Sequence, residues 1–529
     1  MSGESKGFVS ILQEFSIPLI AGVVVAVIFA NVAPDPYHDI VEWGPLDGVC
    51  SSESAFCVDL HHGHGNDHGD DHGDDAHGDD HADDDHADDD HGDDHADDHG
   101  DDHADDEHAD DAHADAVAHA DDHGDDDHGE IKAWGFGIFG HHLTLHFIIN
   151  DIFMLFFFGV AAKEITESVL PGGALNPPSK AVNPLLGTIG GVVGPVGVFI
   201  VLSGLFMSSG MIPVEEGASV WGSLGAAFAP GGTFEAGDPA AVFRGWGVPT
   251  ATDIALAWLV ARVVFGAQHP AVNFLLLLAI ADDAIGLGII AIFYPNPAHP
   301  PAPIWLLLVA AGMIVSYILR KRQVNTWVPY IFIGGTLAWV GLVNAALHPA
   351  LALVPIVPFL PGPTHDTGMF NSMDEVSELE ETFTGTHHDT GDHHSPLHNF
   401  EHSVKLYVDF GLFFFGFANA GVAFDAITPL TIVVVAALIV GKVLGIAFFS
   451  GLGNALGFKY PEGMGFKHII VAATVAGIGL TVALFVAGEA YPGTSPFQGP
   501  AKMGALFSAG AAGLAFVLGR MWNVKELIK

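Results

Sequence analysis

Apolar runs long enough to cross a hydrocarbon layer recur along this chain, separated by polar or Gly- and Pro-rich stretches. A bilayer core of about 30 Å takes about 20 residues of helix. The runs fall at about 17–34, 143–168, 183–207, 248–266, 270–294, 302–319 and 326–343, then a short one ending near 361, then 403–425, 429–450, 467–490 and 502–522. This pattern predicts an all-α, polytopic membrane protein with about twelve transmembrane helices. The first run exceeds a signal-peptide core and lacks a strongly basic leader, so it is read as helix 1.

Two of these runs are interrupted. The fourth opens on GVPTATDIALA, where Pro249 lacks a backbone donor and Thr250 and Thr252 offer hydroxyls to freed backbone groups; the eleventh, VAATVAGIGLTVALF, carries Gly477, Gly479 and Thr481 at mid-span. Paired interruptions in corresponding halves point to the binding site of a transporter. Beside them lie Asp253 and the adjacent Asp282 and Asp283, at a depth that excludes water. An Asp there costs roughly 2.5–3.5 kcal/mol on insertion scales, so such residues mark ion or proton pathways. Neighbours on a helix diverge by about 100°, so one of the Asp pair lines a cavity while the other meets an adjacent helix. A buried carboxylate holds either a proton or a hard cation such as Na+ or Li+, and competition between the two is already an exchange mechanism. Lys442, deep in IVVVAALIVGKVLGIAFF, needs a counter-charge, and a buried Asp is the least costly one.

Composition agrees with the pattern. A chain of 529 residues that is 50% hydrophobic, 15% charged and of mean hydropathy +0.39 is too apolar for an ordinary soluble protein. Its formal net charge of −46 is largely local, because residues 61–130 hold 31 of the 63 acids and 17 of the 32 histidines, with no Lys or Arg. This HGDD/HADD tract buries nothing apolar and is expected to be disordered, either chelating transition metals loosely or acting as a solvated, pH-responsive spacer. It motivates an alternative function, proton-coupled export of Zn2+ or Ni2+. Cys50 and Cys57 precede the tract and are open to either a disulfide or two thiols. With the N-terminus inside, thirteen of the seventeen basic residues fall on the inner side. Both termini are therefore expected in the cytoplasm and the tract outside a cell membrane. The expected divisions are 1–60, the insertion 61–130, helices 2–8 over 131–361, a His-rich cytoplasmic loop at 362–402, and helices 9–12 over 403–529. Neither a P-loop nor a G-x-G-x-x-G at a strand–helix junction is present, so an enzyme is not expected, nor a cofactor, nor a nucleic-acid partner.

The ordered motifs YHD after helix 1, IND at 149–151, GW-x-x-P-x-ATDIA-x-A at 245–257, ADD at 281–283, FANAGV at 417–422, GK-x-LGI at 441–446 and AGIGLT at 476–481 resemble the NhaA-type Na+/H+ antiporters. The resemblance spans nearly all of the hydrophobic chain. It implies inverted structural repeats with helices 4 and 11 crossing near the membrane centre. Asp283 would bind Na+ or Li+, and Asp282 would take part in protonation and in pairing with Lys442. Asp253 and Lys442 would compensate half-helix dipoles, Thr252, Gly477 and Gly479 would belong to the crossing, and Asp151 would line a funnel. It further implies electrogenic exchange, two protons inward for each Na+ outward, activation at alkaline pH, and a homodimer. Some positions depart from the family. GVAAKEI stands where relatives have GLEVKRE, so part of a charge cluster linked to pH sensing is expected to be missing, and Glu401 and His402, its other candidate members, sit one residue short of their usual spacing to FANAGV.

Overall fold

The computed structural model describes residues 16–43, 57–58, 133–136, 141–142, 144–170, 178–232, 234–235, 237–295, 302–362, 395–493 and 495–525. The His/Asp tract at 61–130, the histidines at 387–394 and Cys50, and so the pairing of the cysteines, lie outside the described residues.

Helices dominate the rest. In chain order they are α1 (Ile17–Val32), α2 (Pro34–Glu42), α3 (Leu145–Val169), α4 (Pro178–Ser208), α5 (Pro239–Thr250), α6 (Ile254–Phe265), α7 (Pro270–Phe293), α8 (Pro303–Lys321), α9 (Tyr330–Asn344), α10 (Pro396–Asn419), α11 (Pro429–Ala455), α12 (Phe466–Ala476), α13 (Leu480–Ala490) and α14 (Gln498–Trp522). Six helices, α3, α4, α7, α8, α11 and α14, are each long and apolar enough to cross a membrane. The pairs α5/α6 and α12/α13 pass the same test as bent spans, each turning by 51°. α1 and α9 are shorter apolar helices. Before α3, three short antiparallel strands, β1 (Cys57–Val58), β2 (Ala133–Phe136) and β3 (His141–His142), add a small sheet that the apolar pattern does not signal.

Local chemistry sets the helix ends. Thr144 caps α3 by accepting from the amide of Phe147 at 3.1 Å, and Asp238 caps α5 by accepting from Ala240 at 2.7 Å. Ser395 does the same for α10, with Pro396 in the first turn, so that helix begins about seven residues earlier than its apolar run suggests. The short run ending near 361 forms no continuous α-helix. Its prolines at 349, 355, 358 and 361 remove ladder donors, and it folds as 3-10 turns at Pro349–Leu351 and Val357–Phe359.

Packing rests on close backbone approach. On α4 and α11, Gly190, Gly194, Gly441 and Gly445 face one another so closely that a Cβ on Gly445 would run into the Gly190 carbonyl. Small residues allow such contact in lipid, where apolar side chains gain nothing by leaving their neighbours. The outward faces are apolar too: Ile28, Leu307 and Phe448 are each more than half exposed. The interior instead concentrates polar groups, with Thr252, Asp253, Asp282, Asp283, Lys442 and Thr481 all buried.

Candidate functional site

The two bent spans meet at their breaks. Between α5 and α6 the backbone at 251–253 is extended, and the Asp253 amide donates to the Ile478 carbonyl, in the break between α12 and α13, at 2.7 Å. Asp253 caps α6 by accepting from Leu256 at 3.0 Å, and its second oxygen accepts from the amide and hydroxyl of Thr481 at 3.2 and 3.0 Å, in the first turn of α13. One carboxylate thus meets the amide-rich starts of two half-helices, where the partial charge is positive. The opposite charge sits at the two helix ends. Lys442 donates to the Thr250 carbonyl, the last of α5, at 2.8 Å, while Thr252 reaches the Ala476 carbonyl, the last of α12, at 3.2 Å. Gly477 ends α12 and Gly479 caps α13, its amide donating to Ser508 of α14 at 3.1 Å.

Lys442 follows a π-helical turn over Ala437–Gly441, which re-aims the residue after it. Its ammonium donates to Asp282 Oδ2 at 2.7 Å and to Thr252 Oγ1 at 2.7 Å, and Thr252 itself reaches the same Asp282 oxygen at 2.9 Å. Both charged side chains of the pair are fully buried. A buried ion pair brought to 2.7 Å with further hydrogen bonds is the arrangement that offsets desolvation. Asp282 Oδ1 and Asp283 Oδ1 are buried with no hydrogen-bond partner among the described residues. Each is a buried carboxylate oxygen of the kind that takes up a proton or a hard monovalent cation. Beside them, α4 presents Gly191, where a Cβ would stand 3.2 Å from Asp282 Oδ1.

Asp151 lies elsewhere, on a π-helical turn early in α3. Near it His348 approaches Glu489 at 3.2 Å and Asp151 at 3.9 Å, and Asn150 and Asn419 exchange side-chain hydrogen bonds at 3.3 and 2.9 Å. Glu489 belongs to this site and was not singled out from the sequence, although a carboxylate inside an apolar run satisfies the same criterion that selected Asp282. At the other end of α3, Lys163 pairs with Glu167 at 2.6 Å and with Glu401 of α10, which also meets Lys405 at 3.3 Å. A charge cluster therefore forms where the GVAAKEI departure suggested a depleted one, because Lys163 and Glu167 supply charges at helical spacing. His402, next to Glu401, faces outward and is exposed.

Buried charges clustered where two broken apolar helices meet, in a bundle with an apolar exterior, define an integral membrane transporter rather than an enzyme. The family model described as Na+/H+ antiporter 1 matches residues 128–231 and 219–521. The chain belongs to that family. It is 43% identical over 525 residues to the Na(+)/H(+) antiporter NhaA of Desulfitobacterium hafniense (strain DSM 10664 / DCB-2), covering 99% of this chain and 98% of that one. It is 50% identical over 385 residues to the Na(+)/H(+) antiporter NhaA of Geobacter metallireducens, and 52% identical over 385 residues to Na(+)/H(+) antiporter NhaA 1 of Pelobacter propionicus, each alignment spanning 73% of this chain and 88% of the relative. The transition-metal exporter reading finds no support in these relatives. Among the described residues no group of three or more His, Cys, Asp or Glu is placed to hold a metal ion.

Proposed function

We propose that this protein exports Na+, and Li+, across the cell inner membrane in exchange for inward H+, two protons for each cation, with Asp282 and Asp283 as the exchange site. The carrying observation is the fully buried Asp282–Lys442 pair at the crossing of two broken helices, beside the unpartnered oxygen of Asp283. In this reading a cation that reaches Asp283 competes with Lys442 for Asp282. Binding Na+ displaces protons from the site, and protons arriving from the other side displace Na+. Two for one moves net charge, so the exchange draws on the membrane potential. Thr252 holds Asp282 and Lys442 in register, and Asp253 keeps the two half-helix starts together. Twelve spans in two inverted repeats, the short run ending near 361 among them as 3-10 turns, rock about this crossing. Asp151 lines the outer approach, Glu401 with His402 and Lys163 sits at the inner one and contributes to the pH response, both termini lie in the cytoplasm, and the His/Asp tract faces outward. The working form is a homodimer.

The test uses everted vesicles and a pH-gradient dye. Na+ or Li+ restores fluorescence in the unsubstituted protein, and Asp283→Asn abolishes that response. Absence of any Na+ response from pH 6 to 9 overturns the proposal.

A further inference from the structure

A second pair of titratable side chains lies away from the ion site. His269, the N-cap of α7, and His468, in the first turn of α12, stack with ring centroids 5.2 Å apart and planes 22° apart. Phe265, the last residue of α6, covers His269 at 5.3 Å. Both imidazoles are buried, at 6% and 4% exposure. Each accepts a backbone amide at Nδ1, from Ala271 at 3.1 Å for His269 and from Gly465 at 3.0 Å for His468. An Nδ1 that accepts carries no proton, so both rings are held as the neutral Nε2–H tautomer. Both Nε2 atoms are buried without a partner.

This arrangement tolerates no added proton. Protonation places an N–H at Nδ1 against the amide N–H it now accepts, undoing a helix cap, and leaves a cation stacked on a second imidazole. Among the described residues no carboxylate bears on His269. Toward these helix ends the packed elements carry Arg262 of α6, which lies over the Trp258 ring, Lys467 of α12, Lys459, Tyr460 and Glu462 in the loop before it, and Arg520 and Lys525 in and after α14. Further along them lie Asp253 of α6, Asp282 and Asp283 of α7, Lys442 of α11 and Lys163, Glu164 and Glu167 of α3. Those of the α12 loop and of α14 are exposed except for half-buried Tyr460, and the group whose charge bears on His269 is His468.

The stack joins the ends of three helices whose other ends or middles build the ion site. α6 starts at Asp253, α7 carries Asp282 and Asp283 about 20 Å further along, and α12 ends at the Ala476 carbonyl that receives Thr252. We infer that the His269–His468 stack is a proton-binding site distinct from the exchange site, which clasps α6, α7 and α12 together when neutral and releases them when it takes up a proton. Burial, then the neighbouring His468, lower the pKa of His269 from 6.5 to about 4. A depressed histidine favours the closed clasp above pH 6.5 and loses that preference as pH falls from 6.5 toward 4. At pH 5.5 opening is favoured about tenfold relative to neutral pH, and at pH 7.5 hardly at all. The clasp therefore shuts transport down on acidification without involving Asp282 or Asp283.

The test pairs hydrogen exchange with transport, on the full-length protein. His269→Asn and His468→Gln keep a side-chain acceptor for each capped amide and remove the titration. In the unsubstituted protein, exchange over residues 266–273 and 463–470, corrected for intrinsic rate, rises about tenfold from pH 7.5 to pH 5.5, and the double variant shows no such rise. In proteoliposomes the double variant matches the unsubstituted activity at pH 8.5 and retains activity further into acid, its half-activity point lower by at least about half a pH unit. Exchange that does not depend on pH, or that rises equally in the variant, overturns the inference. If the double variant fails to fold, judged by its thermal midpoint at pH 7.5, the same comparison is made with His269→Asn alone. The exchange readout requires no transport, so failure of the antiport proposal is separable from failure of this one.

Discussion

Replacing Lys442 by Met removes the ammonium from a cage of three oxygens while keeping the length of the side chain. At 2.7 Å and an effective dielectric near 20, the attraction between Lys442 and Asp282 is about 6 kcal/mol. Desolvation of two fully buried groups takes back much of it, but removing one partner leaves the other charge stranded, at a cost of about 3–5 kcal/mol. Lys442→Met is therefore expected to lower the thermal midpoint in detergent by about 3–5 °C, and Asp282→Asn, which strands the lysine, to do the same. The double variant has no stranded charge, and Asn at 282 still accepts from Thr252, so it should return to within about 2 kcal/mol of the unsubstituted protein, a coupling of about 3 kcal/mol or more. Transport is lost in all three variants, so stability is the readout. Additive losses in the double variant would refute the argument that the pair is held by mutual charge in a dry site.

Three further outcomes are expected. Burial pulls the pKa of His348 down, but Glu489 and Asp151 outweigh it and raise it to about 9; the resulting stabilisation, about 3 kcal/mol from a shift of about 2.5 units, is full below pH 6.5 and is lost as pH rises through 9. The midpoint difference between the unsubstituted protein and His348→Gln should accordingly be large at pH 6 and small at pH 9.5, and a constant difference would contradict the pairing. Lys163→Met should destabilise by about 3 kcal/mol, because Glu167 and Glu401 lose a buried partner, whereas Lys405→Ala, with a side chain 57% exposed, should change stability by less than about 1 kcal/mol in the same thermal assay. Gly445→Ala pushes a methyl into the Gly190 carbonyl and should cost about 2 kcal/mol or more in folding stability and yield, while Gly197→Ala, with open space around its Cβ position, should be neutral.

The spans were legible because an apolar run of fixed minimum length is a one-dimensional signal, and helices are the structure that satisfies their own backbone in lipid. The breaks in the fourth and eleventh runs were legible for a related reason, since Pro249, Gly477 and Gly479 disturb a helix wherever it packs. The end of the short run near 361 misled, because hydropathy does not register that its prolines prevent a continuous ladder. The small sheet before α3 escaped notice because strands of two to four residues leave no periodicity to read. The start of α10 was placed late because its first turn is polar and is fixed by a Ser cap rather than by apolar burial.

The sequence by itself determined that this is a membrane-spanning helical protein, that its costly charges are Asp253, Asp282, Asp283 and Lys442, and which family its motifs belong to. Those properties depend on composition and spacing within single segments. The pattern of positions alone left open which Asp meets Lys442, a choice that only the family resemblance named; the tertiary structure brings Lys442 to Asp282 across 160 positions of chain and sets which two backbone amides Asp253 gathers. It likewise decided that Glu489 faces His348, that Glu401 reaches Lys163, and that His269 and His468 stack. Each of these pairings joins residues far apart in the chain, and which of several buried partners a charge meets follows from helix rotation and close packing at glycines such as Gly190 and Gly445, neither of which is written in the pattern of apolar and polar positions.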